Sequence, residues 1–321
     1  MRVFVTGASG FLGGHLVRAL VERGAQVTAG DVHRGPALDG LDVDFVEIDV
    51  LDPASLRAAL ADHDVVFHLA AIISIVGDPT GMVWRVNVQG PRNAATAALD
   101  AGVGRFVHCS SVHSFDLARC GPSLDETGPP TTHSDSPVYD RSKRAGEDQI
   151  HDVIADGLDA VIVNPTGIIG PVDLGPSRMG ETVLQFMERK IPVGVTGQFD
   201  FVDVRDVVDG LIAAQERGRT GENYLLSGSR ISIHELGLLV ERYSGAPVPP
   251  LSIPLRLVQP LAPLVMKIER RAKMPIFTPD ALHALEHSPM VSHYKAATEL
   301  GYTSRPIHRT IRDTVTWFES R

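Results

Sequence analysis

The chain has 321 residues, 43% hydrophobic and 21% charged, with 39 acidic against 30 basic side chains and a net charge of −9. That length supports a full core and a second lobe, and the acidic balance without a basic patch speaks against nucleic acid as a partner. The two cysteines, Cys109 and Cys120, do not suggest a disulfide framework and make the cytoplasm the default location.

Arg2–Thr6 is predicted to be a strand, its run Val3-Phe4-Val5 suiting burial on both faces. Met1 leads directly into it, so no signal peptide is expected. The following turn carries Gly7, Gly10 and Gly13 in the pattern T-G-x-x-G-x-x-G. A helix starting near Phe11 then places Leu12, Leu16, Val17 and Leu20 at helical spacing. In such a turn the first glycine permits a sharp exit from the strand. The second lets a pyrophosphate approach the backbone, the third lets helix and strand pack closely, and the helix N-terminus offers free N–H groups. A second strand, Gln26–Gly30, ends in Asp31, whose carboxylate can accept hydrogen bonds from both hydroxyls of an adenosine ribose. These features predict dinucleotide binding.

Alternation continues. Val43–Ile48 is predicted as a strand ending at Asp49 and Val50, and Asp52-Pro53 opens a helix over Pro53–Ala61. Asp64–Leu69 is the next buried strand. Ala70 and Ala71 follow it, small enough to leave room for a flat ring. A long helix containing Asn87 is expected over Met82–Ala101, interrupted early at Gly90-Pro91, and Arg105–Ser110 is the fifth strand. The loop Ser114–Val138 is long enough to be expected to carry function. Helix Val138–Ile154, strand Ala160–Asn164, helix Thr182–Glu188, a strand-to-helix unit over Phe201–Gln215 and strand Asn223–Ser227 come next. Thereafter the pattern is helical and proline-broken: Ile233–Ser244, Leu255–Arg271, Pro279–His287, Lys295–Leu300 and His308–Glu319. The apolar stretch Leu251–Ile268 is interrupted by Pro254, Arg256, Pro260 and Pro263 and falls short of the ~20 residues of a membrane span. No integral membrane segment is predicted, and the stretch reads as a broken helix of a substrate lobe.

The order predicts an α/β protein, a doubly wound parallel sheet with a smaller, mostly helical C-terminal lobe. Ligands of such sheets sit at the carboxyl ends of the strands. Asp31, Asp49, Ala70, Ala71, Ser110, Ser111 and Asn164 are therefore gathered around one crevice. The sharpest chemical motif is Tyr139-Asp-Arg-Ser-Lys143, the only Tyr and Lys four apart in the chain. At that spacing the two share a helix face. A phenol titrates near 10, and an ammonium beside it is expected to lower that value toward useful acid–base work. Ser111 is the expected third member, holding a substrate oxygen. The plainer readings are a solvated lysine near a chance tyrosine and a serine that merely ends a strand.

These residues make the sequence resemble the extended short-chain dehydrogenase/reductase family. The resemblance rests on TGASGFLG (6–13), Asp31, DV (49–50), HLAA (68–71), NVQG (87–90), SS (110–111), YDRSK (139–143), NPTGIIGP (164–171) and FVDVRDV (201–207). GENYLLSG (221–228) and the closing ELGYTSRP and RDTVTWF stretches are similar to its dihydroflavonol-reductase-like and 3β-hydroxysteroid-dehydrogenase-like branch. The resemblance implies a Rossmann fold and hydride transfer between a nicotinamide and a carbon bearing oxygen. Ser111 would polarise the substrate oxygen, Tyr139 would move the proton, and Lys143 would orient the ribose and tune Tyr139. Gly7, Gly10, Phe11, Leu12 and Gly13 would hold the pyrophosphate. Asp31 would favour NAD, with NADP left open by nearby Arg34. Asp49 and Val50 would flank the adenine. Leu69, Ala70, Ala71, Asn87, Asn164 and Ile168 would line the rest of the cofactor. The implied division is a cofactor domain of residues 1–170 and 200–228 and a substrate lobe of residues 171–199 and 229–321. A homodimer through the helices at Met82–Ala101 and Val138–Ile154 is implied as well. Val112 and His113 stand where sugar 4,6-dehydratases resemble one another in an Asp-Glu pair, which disfavours dehydration. Asn164 stands where many sugar-nucleotide members carry Arg.

The functional expectation is an NAD(P)-dependent enzyme oxidising or reducing a ketone or secondary alcohol of a fairly apolar small molecule. The alternatives are a nucleotide-sugar epimerase with retained NAD and a non-catalytic nicotinamide sensor. His283, Glu286 and His287 match H-x-x-E-H, but in this context they read as pocket or surface residues, and no metal is expected. His113 is placed either at the substrate or on the surface. Cys109 is expected in the core, and Asp125 and Glu126 either at the substrate or in solvent.

Overall fold

The computed structural model describes residues 1–191, 194–249, 252–255 and 278–321. The cofactor half follows the expected alternation: β1 (Arg2–Thr6), α1 (Phe11–Glu22), β2 (Gln26–Asp31), β3 (Asp44–Glu47), α2 (Pro53–Leu60), β4 (Val65–His68). Met82–Trp84 then enters a π-helical turn, Arg85–Gln89, which runs into α3 (Gly90–Asp100). The chain continues through β5 (Arg105–Cys109), α4 (Val138–Ala155), β6 (Ala160–Pro165), β7 (Gly167–Ile169), α5 (Arg178–Met187), β8 (Gln198–Asp203), α6 (Val204–Arg217), β9 (Asn223–Leu226), β10 (Ser229–Ser232) and α7 (Ile233–Ser244). Helices α8 (Pro279–Glu286) and α9 (Ile307–Glu319) lie near the end. The predicted helix Leu255–Arg271 and most of the apolar stretch Leu251–Ile268 lie outside the described residues. Among those described, no helix is long and apolar enough to cross a membrane.

Seven strands form one sheet in the order β9-β6-β5-β4-β1-β2-β3, and every neighbouring pair is parallel. The chain order reverses between β1 and β4, so a crevice opens there beyond the strand ends. Side-chain alternation decides which helix covers which face. Val3 and Val5 of β1 pack with Leu16, Val17 and Leu20 of α1 and with Val207 and Leu211 of α6. Phe4, between them, points the other way and joins Leu56 and Leu60 of α2, Ala94 and Ala98 of α3, and Ile150 of α4. A third core, including Val183, Phe186, Phe201, Leu236, Leu282 and Ile311, lies among α5, β8, α7, α8 and α9.

Three features depart from the sequence reading. The helix expected at Thr182 starts at Arg178, because the Ser177 hydroxyl caps it by accepting the Gly180 amide at 3.1 Å. A second, three-stranded sheet joins β10, β8 and β7; its six-residue strand β8 starts at Gln198, three residues before the strand expected at Phe201. Gly90-Pro91 does not interrupt its helix, since a proline at a helix start lacks only an N–H that is free there anyway. The irregularity lies one turn earlier, in the π-helical turn containing Asn87.

Candidate active site

At the first turn Gly7 adopts φ +69°, a left-handed conformation that costs only glycine nothing. A Cβ on Gly7 would lie 2.7 Å from the Ala70 amide nitrogen, while one on Gly10 would have only Gly7 O, at 3.3 Å, within 4 Å. A Cβ on Gly13 would overlap the Gly7 carbonyl oxygen and lie 2.8 Å from Ala8 Cα. Gly13 is thus demanded by packing, whereas Gly10 leaves a backbone surface open beside the N-terminus of α1. The Thr6 hydroxyl ties β1 to the end of β4, accepting the Leu69 and Ala70 amides at 3.2 Å each and lying 2.8 Å from His68 Nδ1. Burial holds His68 neutral, its pKa lowered to about 3.

Asp31 closes β2 with its carboxylate fixed from both sides: Oδ2 accepts the Ser9 amide at 2.9 Å and Oδ1 the Val32 amide at 2.8 Å. Each oxygen keeps acceptor capacity for ribose hydroxyls. Arg34 donates to Leu38 O at 3.1 Å and lies over the Phe45 ring. The Asp31 carboxylate itself favours a 2′-hydroxyl over a 2′-phosphate, which would meet its negative charge. This open glycine turn, free helix end and paired acidic clamp fit a dinucleotide. Asp49 turns its own loop, accepting the Leu51 amide at 2.8 Å, and Val50 is buried against the Gly90 backbone.

Two asparagines expected at the cofactor are instead occupied by the protein. Asn87 Oδ1 accepts the Ile72 amide at 2.8 Å, and its Nδ2 donates to Ile72 O and to Ser142 Oγ. Buried Asn164 donates to Ser111 O and Ser114 Oγ, each at 3.0 Å, and to Glu147 Oε1, and accepts from Asn223 Nδ2 at 2.9 Å. With every polar atom engaged inside the fold, both side chains hold neighbouring segments of the crevice and do not reach into it. Ile168 is half-buried on β7, opposite Val202.

Ser111, Tyr139 and Lys143 converge from elements distant in sequence. Ser111 follows β5, caps the 3-10 turn Val112–Ser114 by accepting the His113 amide at 3.3 Å, and lies beside the Tyr139 phenol. Tyr139 and Lys143 lie one turn apart near the start of α4. Lys143 is 4% exposed and donates from Nζ to Cys109 O at 3.0 Å. Burial pulls its ammonium below the ordinary lysine value, opposed by Cys109 and Glu147. The Tyr139 phenol is pushed well up by burial, with the Ser111 hydrogen bond opposing. The expectation that Lys143 lowers the phenol therefore does not hold here. The cation that acts on Tyr139 is Arg178, at the start of α5.

His113 is not on the surface. Its ring stands edge-on to Tyr139 at 5.7 Å and stacks on Phe199, and its Nδ1 lies 3.2 Å from Asp140 Oδ2. Burial lowers the imidazole pKa, but Asp140 outweighs it and the net shift is upward. His113 and Arg178 both line a mainly apolar cavity of ≈ 180 Å³ with Phe199, Phe201, Ile233 and Leu285. Phe199 and Arg178 were not singled out in the sequence. Arg178 carried no signal in the sequence, where the helix was expected to begin at Thr182; only the structure places this cation at the helix start, where the dipole disfavours it. Asp125 and Glu126 serve the fold: Asp125 accepts from Thr127, and Glu126 Oε1 accepts the Leu225 amide at 2.9 Å. The His283 and His287 rings lie 4.4 Å apart, but no His, Cys, Asp or Glu group suited to a metal occurs among the described residues.

A family model described as the NAD dependent epimerase/dehydratase family matches residues 3–227. The chain belongs to this family. It is an enzyme of that family, and NAD is its cofactor. It is 37% identical to sterol demethylase protein B of Methylococcus capsulatus, over 100% of this chain and 99% of the relative. It is 32% identical to a provisionally named dihydroflavonol 4-reductase of Synechocystis sp., over 99% of this chain and 94% of that protein. The crystal structure of gox2253 superposes with a TM-score of 0.86 at 31% identity, covering 99% of this chain and 98% of the other. The chain thus matches these two relatives and this structure over nearly its whole length.

Proposed function

We propose that this protein interconverts a ketone and a secondary alcohol on a fairly apolar small molecule. The observation that carries the reading is Tyr139, beside Ser111 and edge-on to His113, which lines a cavity walled by Phe199, Phe201, Ile233 and Leu285. The names of the sterol and flavonoid relatives support an apolar substrate of the same kind. NAD, held at the glycine turn and Asp31, supplies the hydride acceptor or donor. Ser111 orients the substrate oxygen toward Tyr139. Because the buried phenol keeps its proton at neutral pH, Tyr139 is an acid ready to protonate a carbonyl oxygen as it gains charge. Lys143, pinned to Cys109 O, keeps a cation at the end of β5 and presents its remaining donors to a ribose.

The same reading assigns residues 1–170 and 200–228 to the cofactor and residues 171–199 and 229–321 to the substrate. It also includes a homodimer through α3 and α4 and a cytoplasmic location, the latter supported by the free thiols of Cys109 and Cys120. Light scattering at micromolar concentration tests the dimer. The mechanism is tested with Tyr139→Phe, which is expected to lower kcat by at least ~100-fold, as loss of an acid–base group does, while NAD still binds. Undiminished turnover of a genuine substrate would sink it. Isomerisation of a sugar nucleotide without net change in reduced nicotinamide would replace it with an epimerase.

A further inference from the structure

Arg178 is placed where a cation is costly three times over. It is the first residue of α5, at the positive end of the helix dipole. It is half-buried in the lining of the apolar cavity. Among the described residues its guanidinium forms no ion pair. Glu181, the one carboxylate among the described residues lining the cavity, accepts from Gln185 Nε2 at 3.0 Å, and Asp140, next to Tyr139 in the chain, faces His113 Nδ1 at 3.2 Å. Burial accordingly pulls the Arg178 pKa down, and the group acting against that shift is the Tyr139 phenol. A half-buried guanidinium with no counter-ion among the described residues is an arrangement that a bound anion relieves.

We infer that Arg178 is the receptor for a carboxylate on the substrate, placed close to the carbon that reacts at Tyr139, with the apolar body of the same molecule in the adjoining cavity. This rests on the reading of Tyr139 as the proton-transfer group. A carboxylate fits better than a phosphate ester. Its single charge is matched by one guanidinium, and among the described residues lining the cavity Arg178 is the only lysine or arginine. The substrate class is therefore an amphipathic hydroxy or keto acid, its anionic group near the reacting end.

The probes are decanoate and methyl decanoate, as ligands of the NAD-loaded protein, and 3-hydroxydecanoate with its methyl ester, as substrates. Wild type is expected to bind decanoate at least about tenfold more tightly than the ester, the size of one charge-assisted contact. Arg178→Gln should erase that ratio, Arg178→Lys should restore part of it, and NAD binding by each variant reports that it is folded. A ratio near one in wild type, or a ratio that survives Arg178→Gln, overturns the inference. Turnover of 3-hydroxydecanoate reads the hydride chemistry separately. If wild type and Tyr139→Phe do not differ there while decanoate binding still depends on Arg178, the proposed chemistry has failed and the carboxylate receptor has not.

Discussion

Gly10 and Gly13 sit one helical turn apart in the same motif, yet they should fail in different ways when given a methyl group. In Gly13→Ala the new Cβ overlaps the Gly7 carbonyl oxygen and comes within 2.8 Å of Ala8 Cα. Both neighbours are backbone, so no side chain can swing aside. Relief requires α1 to lift from β1, which would loosen Leu16, Val17 and Leu20, all 2% exposed or less. Overpacking of a well-filled core costs ~1–3 kcal/mol, and the loss of those contacts adds to it. In Gly10→Ala the residue keeps φ −75°, a value any residue adopts, and the Cβ meets only Gly7 O at 3.3 Å. The folded protein should accept that methyl within ~0.5 kcal/mol, while the methyl occupies the surface where a pyrophosphate must approach. Urea denaturation and NAD titration of both variants decide the matter. Gly13→Ala should lose stability, and Gly10→Ala should keep it while losing at least about tenfold in NAD affinity, or ~1.4 kcal/mol. If Gly10→Ala binds NAD as wild type does, the pyrophosphate does not lie on this turn. A Gly13→Ala protein of full stability would mean that the close helix–strand approach is not required.

Two further outcomes follow from the same geometry. The folded-state pKa of His68 is lowered from 6.5 to about 3, so below pH 6.5 the unfolded chain binds a proton that the folded one refuses. The His68 contribution is complete above pH 6.5 and declines as the pH falls, by ~2 kcal/mol at pH 5, and His108, also lowered by burial, acts in the same direction. His68→Gln should therefore flatten the stability–pH slope between pH 6.5 and 5, and an unchanged slope in denaturant melts would contradict the neutral assignment. At the cofactor end, Asp31→Asn removes a charge without removing the acceptor that meets the Ser9 amide. The ratio of NAD to NADP affinity should fall by about tenfold, and a ratio that does not move would place the adenosine ribose elsewhere.

The strands of the parallel sheet, the glycine turn, the Asp31 strand end and the Tyr139–Lys143 pair were all legible in the sequence. Each is written in a span of a few residues: an apolar run, an i,i+4 spacing, a cap. What the tertiary structure alone decided are partnerships across long separations. Asn87 reaches Ser142, 55 residues away, and Asn164 reaches Ser111, 53 residues away. Those contacts made two expected cofactor ligands into braces of the crevice. His113 was left open in the sequence between substrate and surface, and it is the stacking on Phe199, from a strand 86 residues further along the chain, that turns it inward. Arg178 is the plainest case. The sequence shows only a basic residue ahead of the helix expected at Thr182, and nothing local says that β8 and α8 share its cavity or that Tyr139, 39 residues earlier in chain number, acts on its charge. Local order follows from short-range sterics and periodicity, whereas the charge environment of a side chain is set by whichever distant segments the packed core brings beside it.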